Sequence, residues 1–180
     1  MIGRQAYGGR GRMALAMLLL AGLALARTAG AEAEALAVPE GKVILSVSGS
    51  IGRTNADGTA QLDRAMLEAL PRTEFATSTV WTEGVSTYSG VLLRDLLDML
   101  GADGTRIVAS AIDGYQVVIP IAELKEDGPI LAFLRDGQPM PVRERGPLWL
   151  IYPFDDNPAF RNETTYARSI WQLTLIDVER

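Results

Sequence analysis

Apolar positions along the chain change their period several times, and each change marks an element. Val43, Leu45 and Val47 alternate with smaller or polar residues and stop at Ser48-Gly49-Ser50, the pattern of a half-buried strand entering a turn. After a second turn at residues 55–58, Leu62, Met66, Leu67 and Leu70 recur at helical spacing as far as Pro71, with Thr59 placed to cap the helix. Residues 74–80, rich in Thr, Phe and Val, predict a strand whose end delivers Trp81. A second helix is predicted where Leu92, Leu93, Leu96, Leu97 and Leu100 line one face. Ser89 would cap it, Arg94 and Asp98 would pair one turn apart, and Gly101 would end it.

Beyond Gly101 the pattern is mostly that of strands. Residues 105–110 and 115–119 flank a turn at Asp113-Gly114, and residues 130–135 and 139–142 flank Asp136-Gly137, a stronger hairpin signature. Residues 148–152 form an apolar run ended by Pro153, and Trp171, Leu173 and Leu175 alternate with Gln172 and Thr174 in a last strand. No period of 20 to 50 residues repeats. The expected fold class is α+β: a single domain over residues 41–180, with a mixed or antiparallel β-sheet and two main helices.

The first residues differ in kind. Arg4, Arg10 and Arg12 precede an apolar run at 13–26, and Ala29-Gly30-Ala31 supplies a small-residue cleavage site, the layout of a secretory signal peptide. The run is short for a bilayer span. Residues 1–31 are therefore expected to be removed near Ala31, leaving a periplasmic protein. Residues 32–40, Ala- and Glu-rich and carrying Pro39, read as a spacer. Gly11 separates Arg10 from Arg12, so no twin-arginine signal is present and export of the unfolded chain is expected.

Composition removes several kinds of chemistry. With no His and no Cys in 180 residues, imidazole bases, thiolate nucleophiles, Cys- or His-ligated metals and disulfides are excluded. Residues 1–31 hold four of the 17 basic residues and none of the 22 acidic ones, so the mature chain carries a formal charge of −9. Nucleic acid is an unsuitable partner for such a surface. Ser48-Gly49-Ser50-Ile51-Gly52 lacks the lysine and spacing of a phosphate loop and reads as a turn. Neither Lys42 nor Lys125 sits in an S-x-x-K pattern. Asp155-Asp156 suits a hard cation or a solvated surface, the latter being the simpler reading, and Asn162-Glu163-Thr164 matches a glycosylation sequon.

What remains is a group of aromatic and acidic residues at strand ends: Trp81 and Glu83, Asp113 and Tyr115, then Trp149, Tyr152, Asp155 and Asp156. The ordered segments Thr77-Ser78-Thr79-Val80-Trp81-Thr82-Glu83-Gly84, Tyr88-Ser89-Gly90-Val91-Leu92-Leu93, Asp113-Gly114-Tyr115 and Gly146-Pro147-Leu148-Trp149-Leu150-Ile151-Tyr152-Pro153 lead to a closing strand at 171–178. Over residues 74–178 this order resembles the molybdopterin-binding domain of the sulfite oxidase family. In that family a cysteine ligates molybdenum, and its place here falls at Val80 or Trp81. The resemblance therefore implies the fold and a pterin ligand, and no molybdenum is expected.

The chain is similar above all to small exported members of that fold, periplasmic pterin-binding proteins that lack the cysteine. That similarity implies a non-catalytic binding protein for a reduced pterin. Such a protein reports to the periplasmic domain of a membrane-bound enzyme of the GGDEF/EAL type that makes or degrades cyclic di-guanylate. The candidate ligand-binding residues are Trp81 and Tyr115 as stacking plates, Glu83 or Asp113 as the acceptor of two parallel ring donors, Arg143 toward a ring carbonyl or side-chain hydroxyl, and Tyr152. Each also has a plain structural reading: Asp113 as a turn residue, Tyr115 as core, and Arg143 as part of a solvated charge run. Trp149 and Trp171 are expected in the core, and Trp81 fits either role. Two further functions stay open, a molybdopterin-dependent oxidoreductase and an exported interaction domain without ligand.

Overall fold

Where the apolar run is unbroken, the strand has a core on each face. In the computed structural model, which describes residues 35–180, the elements run β1 (Leu45–Gly49), β2 (Ala60–Leu62), α1 (Arg64–Glu68), β3 (Arg72–Thr79), β4 (Thr82–Leu92), α2 (Leu93–Met99), β5 (Arg106–Ala111) and β6 (Gln116–Pro120). They continue with β7 (Ile130–Arg135), β8 (Gln138–Pro139), β9 (Trp149–Ile151), α3 (Glu163–Arg168) and β10 (Leu173–Glu179). The expected leader at 1–31 and the first residues of the spacer lie outside the described residues. Among the described residues no helix is long and apolar enough to cross a membrane.

Two sheets share the work. The first has the order β2-β1-β10-β5-β6 and is mixed, β1 and β10 being parallel and the other neighbours antiparallel. The second is antiparallel, with the order β3-β4-β7-β8 and β9 added to β7. Leu131 and Phe133 of β7 and Leu150 of β9 enter an aliphatic core shared with the first sheet and with Leu93, Leu96, Leu97 and Leu100 of the α2 region. Their neighbours Ile130, Ala132, Trp149 and Ile151 enter a second, aromatic core on the opposite face, with Tyr88, Tyr152 and Phe154. Each leucine fully removed from water contributes about 1.5–3 kcal/mol of transfer free energy, so the α2 face alone anchors that helix.

Two helix starts differ from the sequence pattern, each because a strand pairing wins. Residues 60–62 pair with β1, so α1 begins later and is capped by Asp63, whose carboxylate accepts the Met66 N–H at 2.9 Å, and not by Thr59. Ser89 does not cap α2. It stays in β4, paired with Glu74 of β3 and Leu134 of β7, and its hydroxyl bonds the Glu74 carboxylate. The Leu93 N–H instead finds the Pro129 carbonyl at 3.0 Å, and Arg94 pairs with Glu126 at 3.6 Å, not with Asp98. Gly101, at φ 63°, does end the helix. The third helix, α3, was not foreseen. Asn162 caps it, accepting the Thr165 N–H at 2.9 Å and donating to the Ala159 carbonyl at 2.8 Å, so the asparagine of the sequon is occupied by the fold.

Candidate functional site

Two hairpin tips and the segment after α3 meet at one place. The β3–β4 connection is only Val80-Trp81. It is closed by Thr79, whose hydroxyl lies 2.7 Å from that of Thr82 and accepts the N–H groups of Trp81 at 3.1 Å and Thr82 at 3.0 Å. The β5–β6 connection is residues 112–115, with Ala111 N–H bonded to the Tyr115 carbonyl at 2.9 Å and Gly114 at φ 89°, which closes a three-residue loop with a left-handed last position. Here the Asp113 carboxylate accepts the Tyr115 N–H at 3.0 Å, and the Tyr115 hydroxyl donates to the Ala167 carbonyl at 3.2 Å, tying the entry of β6 to α3.

Between these pieces lies a cleft of about 410 Å³ walled by Trp81, Tyr115, Tyr166 and Trp171, with Asp113 at its edge. Among the described residues that line it, Asp113 carries the one charge. Trp81 is the hub: its ring centroid is 5.8 Å from Trp171, 5.9 Å from Tyr166 and Trp149, and 6.2 Å from Phe154, all edge-on. The indole N–H groups of Trp81 and Trp171 make no hydrogen bond with the described residues, which leaves donors for a ligand. A larger groove, about 700 Å³, runs over the outer face of the first sheet, but its polar groups pair across strands: Ser48 with Asp177 at 2.6 Å, Gln116 with Ser110 at 2.9 Å, Arg106 with Glu179 at 2.7 Å.

The structure thus brings Trp81, Asp113 and Tyr115 together and leaves three sequence candidates outside the cleft. Glu83 is exposed on β4, because Trp81 sits in the turn itself and strand parity does not carry from 81 to 83. Arg143 has a side chain 83% exposed and pairs with Glu144 at 3.3 Å. Tyr152 lies beneath the site in the aromatic core, 5.2 Å from Phe160, where burial pushes its phenol well above the usual range. Trp149 is fully buried as expected, its indole N–H donating to the Ser169 carbonyl at 3.0 Å. Trp171, expected in the core, is a cleft wall: Gln172 takes φ 52° and interrupts the alternation that the sequence suggests.

Tyr166 is absent from the sequence reading of the site, and Asp155, grouped there with the acidic residues at strand ends, proves to have a different part. The cap Asn162 followed by Glu163 was the available signal for α3 and hence for Tyr166. Asp155 is a tether. Its carboxylate accepts the Ser78 N–H at 2.6 Å, the Ser78 hydroxyl at 2.7 Å and Arg161 at 2.5 Å, which holds its pKa below the usual carboxylate value and pins the end of β3 that carries Trp81. Behind the hairpin, the Tyr88 hydroxyl is buried facing the Thr82 side chain, with no hydrogen bond of ordinary geometry among the described residues.

A molybdenum cofactor would need a metal ligand and a ring site. The chain has no cysteine, and among the described residues no cluster of three or more acidic side chains could hold a metal ion, so the metal half does not fit. A flat pterin half does fit: the volume is within the usual few hundred Å³ of ligand clefts, and the walls are aromatic with few polar groups.

The sequence matches the oxidoreductase molybdopterin binding domain family over residues 60–154. That span includes Trp81, Asp113 and Tyr115 and stops before Tyr166 and Trp171. Among solved structures, the chain is similar to the sulfane dehydrogenase SoxCD from Paracoccus pantotrophus, with 18% identity and a TM-score of 0.59 over 81% of this chain. It spans only 40% of that chain, so the likeness is one of fold. No curated protein matches the sequence.

Proposed function

The chain belongs to the oxidoreductase molybdopterin binding domain family, and from that premise we propose that it binds a reduced pterin and does no chemistry on it. The observation that carries this reading is the aromatic cleft in a chain without cysteine: a site for the ring and none for the metal. Trp81, Tyr115 and Trp171 would face the bicycle, and the Asp113 carboxylate would accept its 2-amino and ring N–H donors. Trp81 stands at one of the two positions that the resemblance assigns to the metal-ligating cysteine, so a wall replaces a ligand there. By the same resemblance, the protein is exported to the periplasm and reports pterin occupancy to a membrane-bound enzyme of cyclic di-guanylate metabolism.

Titration of the mature protein with 6-methyltetrahydropterin under nitrogen, followed by indole fluorescence, should give saturable binding at one per chain. Mass spectrometry of small molecules released from protein purified from its own cells should find a pterin and no molybdenum. Absence of both binding and released pterin would overturn the reading. The family membership favours one other, a molybdenum oxidoreductase, and about one molybdenum per chain by elemental analysis would establish it. For the signalling role, a strain lacking the protein should show altered cyclic di-guanylate, and unchanged levels would remove that role.

A further inference from the structure

Two non-glycine residues beside the cleft take the left-handed backbone conformation, Arg145 at φ 71° and Gln172 at φ 52°. They are bonded to each other, the Gln172 N–H donating to the Arg145 carbonyl at 3.1 Å, and the Gln172 side chain donates to the Val142 carbonyl at 2.7 Å. Such a conformation persists in side-chain-bearing residues only where the surroundings over-determine it, and it clusters where a side chain must be held in one place.

The side chain held in this case is a guanidinium. Its carbon lies 5.4 Å from the Trp149 ring centroid and 5.5 Å from that of Trp171, over both π faces, and one nitrogen donates to the Trp81 carbonyl at 2.9 Å. Among the described residues Arg145 has no carboxylate within ion-pair distance, so its charge is directed at rings and one carbonyl. Trp81 and Trp171, whose rings meet edge-on 5.8 Å apart at 74°, are adjoining pieces of the cleft wall from segments ninety positions apart in the chain. Arg145 touches the backbone of one and the ring of the other, and it is not itself a lining residue.

We propose that Arg145 is the positioning residue of the cleft, fixing the mutual setting of Trp81 and Trp171 and thereby the affinity for a flat ring that it does not contact. The affinity half of this rests on the pterin reading of the site. Lysine cannot replace it, because an ammonium lacks the planar fork that stacks on indoles while donating to a carbonyl.

The test uses Arg145→Asn, which suits the left-handed backbone, and Arg145→Lys, which keeps the charge. Two readouts are taken: the near-ultraviolet circular dichroism of the unliganded protein, which reports the indole–indole setting, and the dissociation constant for 6-methyltetrahydropterin. Arg145→Asn should change the indole band and weaken binding roughly tenfold, the combined effect of lost cation–π and hydrogen-bond contacts, with secondary structure retained. Arg145→Lys should recover less than half of either change. An unchanged band, or a lowered melting temperature with unchanged affinity, overturns the proposal and leaves Arg145 a structural residue. If Arg145→Asn does not fold, Arg145→Lys decides by the same two readouts. If the wild type neither binds the probe nor yields a released pterin, the pterin reading falls while the dichroism still decides whether Arg145 sets the indoles.

Discussion

Trp81→Ala separates a ligand wall from a core residue. Trp81 makes four edge-on ring contacts at 5.8–6.2 Å. A fully buried tryptophan costs about 3–5 kcal/mol when truncated, and a well-set aromatic pair contributes about 0.5–1.5 kcal/mol beyond its burial. Trp81 is only half-buried, and its four partners also contact one another, so the contacts do not add. The expected stability loss is about 2 kcal/mol, which a domain with a typical stability of about 5–15 kcal/mol survives. Binding loses a wall, about 1–3 kcal/mol, or roughly five- to a hundredfold in Kd. Trp81→Phe should return most of the stability and part of the affinity. Urea unfolding followed by far-ultraviolet circular dichroism gives the first quantity, and titration calorimetry with 6-methyltetrahydropterin the second. A folded Trp81→Ala protein with unaltered affinity refutes the wall; failure of both variants to fold refutes the hub at the surface and makes Trp81 a core residue.

Two further outcomes follow from groups near the hairpin. Hydrogen bonds from Ser78 and Arg161 hold the Asp155 carboxyl below its ordinary value, and those from Met66 and Gly41 do the same for Asp63, so the unfolded chain takes up these protons first. Their contribution is complete above about pH 4 and is lost as pH falls through the lower folded-state values. Asp155→Asn should therefore cost about 1–3 kcal/mol at pH 7 and less at pH 3, read from urea midpoints at the two pH values; equal losses at both would sink the argument. Tyr88→Phe removes a buried hydroxyl that faces the Thr82 side chain without a hydrogen bond of ordinary geometry, so stability should stay level or rise by up to about 1 kcal/mol, and a loss of that size would show that the hydroxyl bonds Thr82 in solution.

Strands β1, β3, β5, β6, β7, β9 and β10 and helix α2 were legible because their apolar spacing is set by burial on one face or both, whereas β2 was hidden in a helical spacing and β4 shows no apolar period before Tyr88. The junction of β4 and α2 was not legible either. Ser89-Gly90 reads as a helix start, but a Cβ at Gly90 would strike the Leu131 backbone, so that position serves close strand pairing with β7. Trp81, Asp113 and Tyr115 were visible as polar or aromatic residues at strand ends, where scaffolds present their sites. Trp171 and Tyr166 were hidden, since whether a ring faces core or cleft depends here on the φ of Gln172 and on a short helix. Glu83 and Arg143 looked suitable by chemistry alone, and neighbouring geometry carries them into solvent.

Because β7 and β9 present side chains to both cores, these two strands cannot separate so as to expose one layer without stripping the other. Ile130 and Leu131 are both fully buried, as are Trp149 and Leu150, so separating β7 from β9 wets aliphatic and aromatic surface in the same event. Their amide hydrogens should exchange only through global unfolding, while that of Trp81 at the hairpin tip, whose N–H is held by the Thr79 hydroxyl at 3.1 Å, exchanges through smaller local excursions. The floor beneath the cleft is then as permanent as the whole domain, and whatever yielding the site has belongs to its hairpin rim.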